Sequence, residues 1–490
     1  MKRRTVNRLL AAAVAGLSAL WIWFWWYSGL QTLPAGVRLG DWQVGGMRAE
    51  EAKLALEDGL KRLSNQKVSL GAADAAANRT EFTMERLGLS SNGEQLSTFL
   101  DSFAKEGSRL DRARRRWQLR HAALPLELTV SEEKLRQTLE AAWPGLMKPV
   151  TKNAERVVTA DDRIEYKPEV RARTADTAVL AGLLVESARD VWDGRLRPDR
   201  WTGDASPAKL DVPLRDVLPE MTLDRLKAQG VDRKIAEFTT TSHGSAPGRV
   251  HNIQATASTI HDMLLAPGAK FDYGTVIRET ERKHGYREAP VIYNGKLVQG
   301  IGGGICQVST TLYNAVLRAG LTVNERRNHS LPVSYVALGQ DATFANGYIN
   351  FVFTNNSGHH LLIRTETNES SVTVKLFGRM PESVTYEVES NVIKTIEPPV
   401  KYVHNPSLPK GAQSLLQPGK PGYVVETYRI RKENGAVVGR ERVSTDTYQP
   451  QPSLVAANNG TPPEDKDGPP GGGRTIIEDG VSGPVLPKGR

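Results

Sequence analysis

The most restrictive feature of this 490-residue chain is an uncharged run of nineteen residues, Leu9 to Tyr27, preceded by Lys2, Arg3, Arg4 and Arg8. As a helix, a run of that length just spans a hydrocarbon core about 30 Å thick. The basic flank predicts a cytoplasmic N-terminus. Trp21, Trp23, Trp25, Trp26 and Tyr27 crowd the far end, where amphipathic rings settle at a membrane interface. A cleaved signal peptide is the competing reading, but bulky aromatics stand where a cleavage site needs small residues. We therefore expect an uncleaved single-pass anchor in the cell membrane over residues 1–30, with the bulk of the chain extracytoplasmic.

The chain beyond the anchor must fold on its cores alone, because Cys306 is the only cysteine and no internal disulfide is available. Hydrophobic content of 39% and charged content of 24% suit soluble globular domains, and the length calls for two to four of them. Lys and Arg outnumber Asp and Glu by 64 to 55, a net charge of +9 that favours anionic surfaces. No nucleic-acid module is visible. The N-terminus argues for the envelope, so the anionic surfaces expected from the charge are acidic wall polymers and lipid, with the membrane engaged through the first helix.

The N-terminal half reads as α+β. Gly36 to Gly46 is a strand and turn, followed by a helix with Ala52, Leu56, Leu60 and Leu63 as its buried stripe. Leu124 to Val130 reads as a strand leading through a Thr129-Val-Ser-Glu132 capping signal into a helix that Pro144 ends. Ile164 to Val170 and a helix from Thr174 to about Trp192 repeat the pattern more loosely. Between them, Arg112 to His121 is the most basic patch outside the anchor. It reads as a solvated helix face, or else as a contact for anionic wall polymer or lipid.

Chemistry concentrates around Cys306. Gly302, Gly303 and Gly304 run into a helical stripe of Val308, Leu312, Ala315 and Ala319 that Gly320 closes. Cys306 is thus expected at a helix start, where unpaired N–H groups and the macrodipole favour an anion and lower a thiol pKa. The rival reading is a buried cysteine acting as a small apolar side chain. Cysteine at a helix start, then His329, then Asp341 is the order used by papain-like and NlpC-type cysteine peptidases. His329 would take the thiol proton and Asp341 would orient the imidazole, with Gln299 or Gln307 donating to an oxyanion. His329 as a mere ion-pair partner and Asp341 as a turn residue are the bland alternatives. The ligand-contacting set expected around this centre is Gln299, Gly302, Gly303, Gly304, Gln307, Ser309 and Asn314. No tight spacing supports a metal site, and no cofactor is expected.

The segment resembles the VanW family, named from a glycopeptide-resistance cluster, on these residues: Pro267-Gly268, Gly285-Tyr286, Gly302 to Asn314, Glu325-Arg326, His329-Ser330, Tyr335-Val336, Asp341-Ala-Thr343 and Phe351 to Asn355. It departs at Asn350, where the family commonly has aspartate. The resemblance implies an envelope compartment and leaves the reaction undefined. Gly40 to Met47, and Val158 to Val231 with Lys209 to Leu214, resemble YoaR-like peptidoglycan-binding domains. Val384 to Val388, Val424 to Ile430 and Ala436 to Val443 read as strands around an Asn434-Gly435 hairpin. That block resembles the G-five module of wall-associated proteins, which is often credited with binding N-acetylglucosamine.

The expected organisation is an anchor (1–30), a YoaR-like region of one or two α+β modules (31–238), a VanW domain (239–378), a G-five-like β module (379–450) and a disordered tail (451–490). The expected function is a membrane-anchored wall protein that binds peptidoglycan and presents a Cys306-centred pocket. A thiol-dependent hydrolase or transpeptidase of stem peptides, and a non-catalytic envelope tether, are the alternatives.

Overall fold

The computed structural model describes residues 2–72, 79–200, 206–242, 244–293, 296–458 and 476–482. Helices and strands are mixed, as the α+β reading expects, and the chain forms two compact units. One comprises residues 1–153 and 169–220, the other residues 154–168 and 221–490. The region expected as 31–238 is therefore divided: the hairpin of Glu155–Val158 and Ile164–Lys167 and the chain from Met221 onward belong to the second unit.

In the first unit, α1 (Lys2–Gly29) contains the one described segment long and apolar enough to cross a membrane, Asn7–Gly29, none of it buried. α2 (Ala49–Asn65) has Glu50 and Glu51 in its first turn and Arg62 in its last, matching the helix dipole. It buries Ala52, Leu56 and Leu63 from the expected stripe, with Leu60 only partly covered. α3 (Gly93–Phe103) packs on α2, and α4 (Arg109–Gln118) starts from a Ser108–Asp111 capping box. α5 (Glu132–Ala142) is capped by Ser131 and α6 (Thr177–Val191) by Asp176. The expected cap Thr129 and the expected helix start Thr174 lie instead in strands Leu128–Val130 and Ala172–Ala175, where pairing holds them extended. Trp42, Phe82, Leu139, Leu184 and Trp192 lie in one core.

The basic segment touches the end of α1 through part of its length, while Arg114, Trp117 and Arg120 stand exposed. The Arg109 guanidinium lies 3.2 Å from the Trp25 ring centroid. Arg116 is buried beside Tyr27 and donates to the carbonyls of Leu30, at 3.0 Å, and Thr32.

In the second unit, β1 (Arg233–Thr241) is followed by α7 (Pro247–Ile260), β2 (Met263–Leu265), β3 (Lys270–Asp272) and α8 (Tyr273–His284). Next come β4 (Glu288–Tyr293), β5 (Lys296–Ile301), α9 (Ile305–Arg318) and β6 (Thr322–Glu325). β7 (Val352–Thr354), β8 (Leu361–Thr367) and β9 (Ser371–Gly378) complete this part. β1-β9-β8-β2 form an antiparallel sheet, with α9 packed on β1 and β9 and α7 on β8. α7 starts with Pro247 in its first turn and stops at Ile260, because Met263–Leu265 pair with β8.

The C-terminal region is all β: β10 (Val384–Ile396), β11 (Val400–His404), β12 (Gln413–Gln417), β13 (Gly422–Glu433), β14 (Ala436–Tyr448) and β15 (Ser453–Ala457). They form sheets β10-β13-β14 and β11-β15-β12. Asn434 and Gly435 both have left-handed φ, 50° and 81°, as a two-residue hairpin turn requires. The tail expected to be disordered from 451 includes β15 and a further strand, β16 (Ile477–Glu478), which pairs with β4. Composition suggested disorder, but the edges of β4, β11 and β12 supply backbone partners. The Gly460 to Arg474 stretch lies outside the described residues.

Candidate functional site

The site is built at the start of α9. Gly304 has φ 107°, the left-handed region a side chain rarely adopts, and a Cβ on Gly303 would stand 2.3 Å from the Pro290 carbonyl. These two positions let the chain leave β5 and enter the helix against β4. Every residue of α9 from Ile305 to Leu317 is buried, polar ones included. Thr311 bonds Thr240 of β1 at 2.8 Å, and Gln307 donates to the Thr241 carbonyl at 2.9 Å. Ser309 donates to the Ala342 carbonyl at 2.6 Å and Asn314 to the Gln340 carbonyl at 2.7 Å.

Cys306 is fully buried, and its Sγ accepts from the Phe344 N–H at 3.0 Å. Its pKa is raised well above the ordinary thiol value, not lowered as a helix start suggested. Burial is the main cause and the nearby Asp479 carboxylate adds to it, while the Phe344 N–H offsets only part. The anion at this helix start is Asp479 itself. Its Oδ1 accepts from the N–H groups of Cys306, at 2.8 Å, and Gly304, at 3.1 Å, and its Oδ2 accepts from Arg249 Nη1 at 2.9 Å.

Beside it, buried His329 and Asp341 form a pair, with Nδ1 2.6 Å from Oδ2. Asp341 Oδ2 also accepts from the His329 backbone N–H, and Oδ1 from the Tyr448 hydroxyl. Arg326 lies between Asp341 and Asp446. Burial alone would raise the Asp341 pKa, but the His329 hydrogen bond and charge and the Arg326 charge hold it down to about 2. Burial alone would lower the His329 pKa, and Asp341 more than reverses that. The Asp341 carboxylate thus favours the protonated imidazole, against the effect of burial. His329 Nε2 is buried without a partner and makes no hydrogen bond to Cys306.

A cleft of about 800 Å³ is lined by Arg249, Gln307, Tyr335, Lys420, Tyr423 and Asp479; Cys306, His329 and Asp341 are not among its lining residues.

Residues 248–377 match the VanW-like protein family and residues 387–458 the G5 domain family. The chain carries a VanW-like domain. The uncharacterized protein YoaR of Bacillus subtilis is 36% identical over 171 residues, 35% of this chain and 56% of that protein. The vancomycin B-type resistance protein VanW of Enterococcus faecalis is 26% identical over 153 residues, 30% of this chain and 56% of that protein. The chain thus spans about half the length of the curated relatives it matches. The G5 domain of an IgA1 protease is 35% identical over 15% of this chain and 88% of that one, with a TM-score of 0.13. A VanW-like domain followed by a G5 domain is the composition of an extracellular, cell-wall-associated protein.

The VanW-like domain brings some of the expected residues together. His329 and Asp341 meet, and Cys306, Gly304 and Gln307 gather at the start of α9. Gln299 lies exposed on β5, paired with Pro290, and Gly302 packs against Val481. Ser309 and Asn314 spend their polar atoms on the 340–342 backbone, so they fasten a loop rather than face the cleft. Sequence reasoning missed Arg249, Tyr335, Tyr448, Asp446 and Asp479. Arg249 stands in the first turn of α7, and only packing shows that it meets Asp479, 230 residues further along the chain. Asn350 accepts from the Gly274 N–H at 2.9 Å and donates to Asp272 at 3.2 Å. An aspartate there would set two carboxylates against each other.

Proposed function

We propose that the protein is a membrane-anchored, extracytoplasmic cell-wall protein whose VanW-like domain binds peptidoglycan in the cleft at the start of α9. One observation carries this reading: two helix-start N–H groups and the Arg249 guanidinium converge on a carboxylate that lines a cleft. Wall stem peptides carry carboxylates, and such donors recognise them well. α1 supplies the anchor, the part of the 31–238 region that lies in the first unit acts as a YoaR-like wall-binding module, and the net charge of +9 favours an anionic wall. The test is co-sedimentation of the full chain, in detergent micelles, with purified peptidoglycan. Native protein should pellet with the wall, and Arg249→Ala should shift a large fraction to the supernatant. Equal retention of the two would sink the cleft as the binding site.

A second reading, a thiol enzyme acting on stem-peptide amides, is favoured by the unpartnered His329 Nε2 above a buried Asp341. From the neutral form of the ring, His329 Nε2 would take the Cys306 proton, and the thiolate would attack the amide carbon. The protonated amine would leave, and water or another amine would then resolve the thioester. That requires rearrangement, because the thiol now bonds to Phe344. Mass analysis of the same wall digests decides it: altered stem peptides that vanish in Cys306→Ala make an enzyme, and unchanged fragments leave a binding domain.

A further inference from the structure

Residues 476–482 lie across the start of α9 as an extended ligand would. β16 pairs antiparallel with β4, matching Ile292 with Glu478 and Tyr293 with Ile477. Asp479 then turns through a left-handed φ of 58°, and the Val481 N–H donates to the Ile301 carbonyl at 2.9 Å. This is strand addition to a sheet edge, in which main-chain bonds give affinity and side-chain sites give specificity. Both side-chain sites take carboxylates. Glu478 Oε2 accepts from the Ser330 N–H at 2.9 Å and hydroxyl at 3.0 Å, while Asp479 takes the helix-start N–H groups and Arg249. The buried Nε2 of His329 and hydroxyl of Tyr335, both without partners, lie within the field of the Asp479 charge.

We propose that the tail segment 476–482 is a built-in occupant of the helix-start site that walls this cleft, and that the external ligand of that site is an extended peptide presenting carboxylates, which binds by displacing the tail. This rests on the reading of the cleft as the ligand site and adds both the ligand's chemistry and its regulation. The segment is joined to β15 through residues 459–475, a Pro- and Gly-rich sequence. A tethered segment presents itself at an effective concentration in roughly the millimolar range, so a free ligand meets constant competition. Occupancy of the helix start by Asp479 also fills the position an oxyanion or ligand carboxylate would take.

The test uses the full chain in micelles and a fluorescein-labelled peptide of the chain's own residues 474–484. Binding is read by anisotropy for the native protein, for E478Q/D479N, and for that double variant with Arg249→Ala. The double variant should bind the peptide at least tenfold more tightly than the native chain, and adding Arg249→Ala should abolish the gain. Thermal unfolding of each protein confirms that it remains folded. Equal, weak binding by folded native and double-variant chains would overturn the proposal, as would a gain that persists without Arg249.

Soluble wall fragments then separate this inference from the reading it rests on. If they displace the captured peptide, both stand. If the peptide is captured but the fragments do not displace it, the carboxylate-peptide site stands and peptidoglycan is not its ligand. If no variant captures the peptide while native protein still pellets with the wall and Arg249→Ala does not, the wall-binding reading stands and the tail is not a displaceable occupant.

Discussion

Asp341 is the residue on which the site's electrostatics turn, and it makes the pH response predictable. Its folded pKa, about 2, lies below the ordinary carboxylate value of about 3.9. Its contribution to stability is therefore complete above about pH 4 and is lost as pH falls towards 2. His329 has the opposite sign. Its raised pKa gives a contribution that is complete below about pH 6.5 and is lost as pH rises through the folded value. The two titrate as a pair, so Asp341→Asn should flatten both limbs together. It should also cost about 3 kcal/mol at pH 6, by leaving buried partners unmatched. Urea unfolding at a series of pH values checks this, and unchanged limbs in the variant would refute it. Cys306 gives a second test. Buried, and with its thiol pKa pushed up, it should react with iodoacetamide at pH 7 at least about tenfold more slowly than a model thiol, since the thiolate is the nucleophile. Alkylation at or above the model rate would place a reactive thiolate there and favour the enzyme reading.

At the scale of elements, α9 depends on the approach of its glycine lead-in to β4. A Cβ at Gly303 would meet the Pro290 carbonyl and the Ala289 side chain, and none of these is a flexible side-chain end. Gly303→Ala should therefore cost about 1–3 kcal/mol, the usual penalty for overpacking, and loosen the start of α9. Thermal unfolding, with hydrogen exchange at Cys306 and Gln307, measures both effects; native-like stability and protection would show that β4 yields freely. The same element shows what a sequence can carry. A 3.6-residue stripe and a closing glycine located α9 closely, since both signals are local. The stripe could not show that the opposite face is buried too, because Gln307, Thr310, Thr311 and Asn314 look like a solvent face until β1 and the 340–342 loop cover them. The hairpin at Asn434-Gly435 was legible for the same local reason. His329 and Asp341 could be paired from residue type and order. The thiol pKa could not be read, because the burial that mainly raises it is set by tertiary packing, and the carboxylate that adds to it comes from Asp479, far along the chain.

At the scale of the whole molecule, the G5 domain takes part in the VanW-like site instead of hanging from it. Tyr448 donates to Asp341 and accepts from the Gly339 N–H at 2.7 Å, and Asp446 pairs with Arg326, both with side chains less than a tenth exposed. Removing one partner of a buried pair is costly because the other is left charged and unmatched. Asp446→Ala should therefore destabilise the second unit by about 3 kcal/mol, although the residue touches neither Cys306 nor the cleft. The loss should not stay within the G5 sheet. Arg326 would lose the carboxylate it shares with Asp341 as a counter-charge, so protection against hydrogen exchange should fall together in β13 and β14 and in the 326–344 segment that carries His329 and Asp341. Tyr448→Phe, which keeps the ring and removes one hydrogen bond, should give the same pattern at about 1–2 kcal/mol. Loss of protection confined to β13 and β14 would mean that the G5 domain folds as an independent appendage. Joint loss would make it a structural half of the site, so that a VanW-like domain cut from this chain before residue 379 would lack the groups that position its own histidine–aspartate pair.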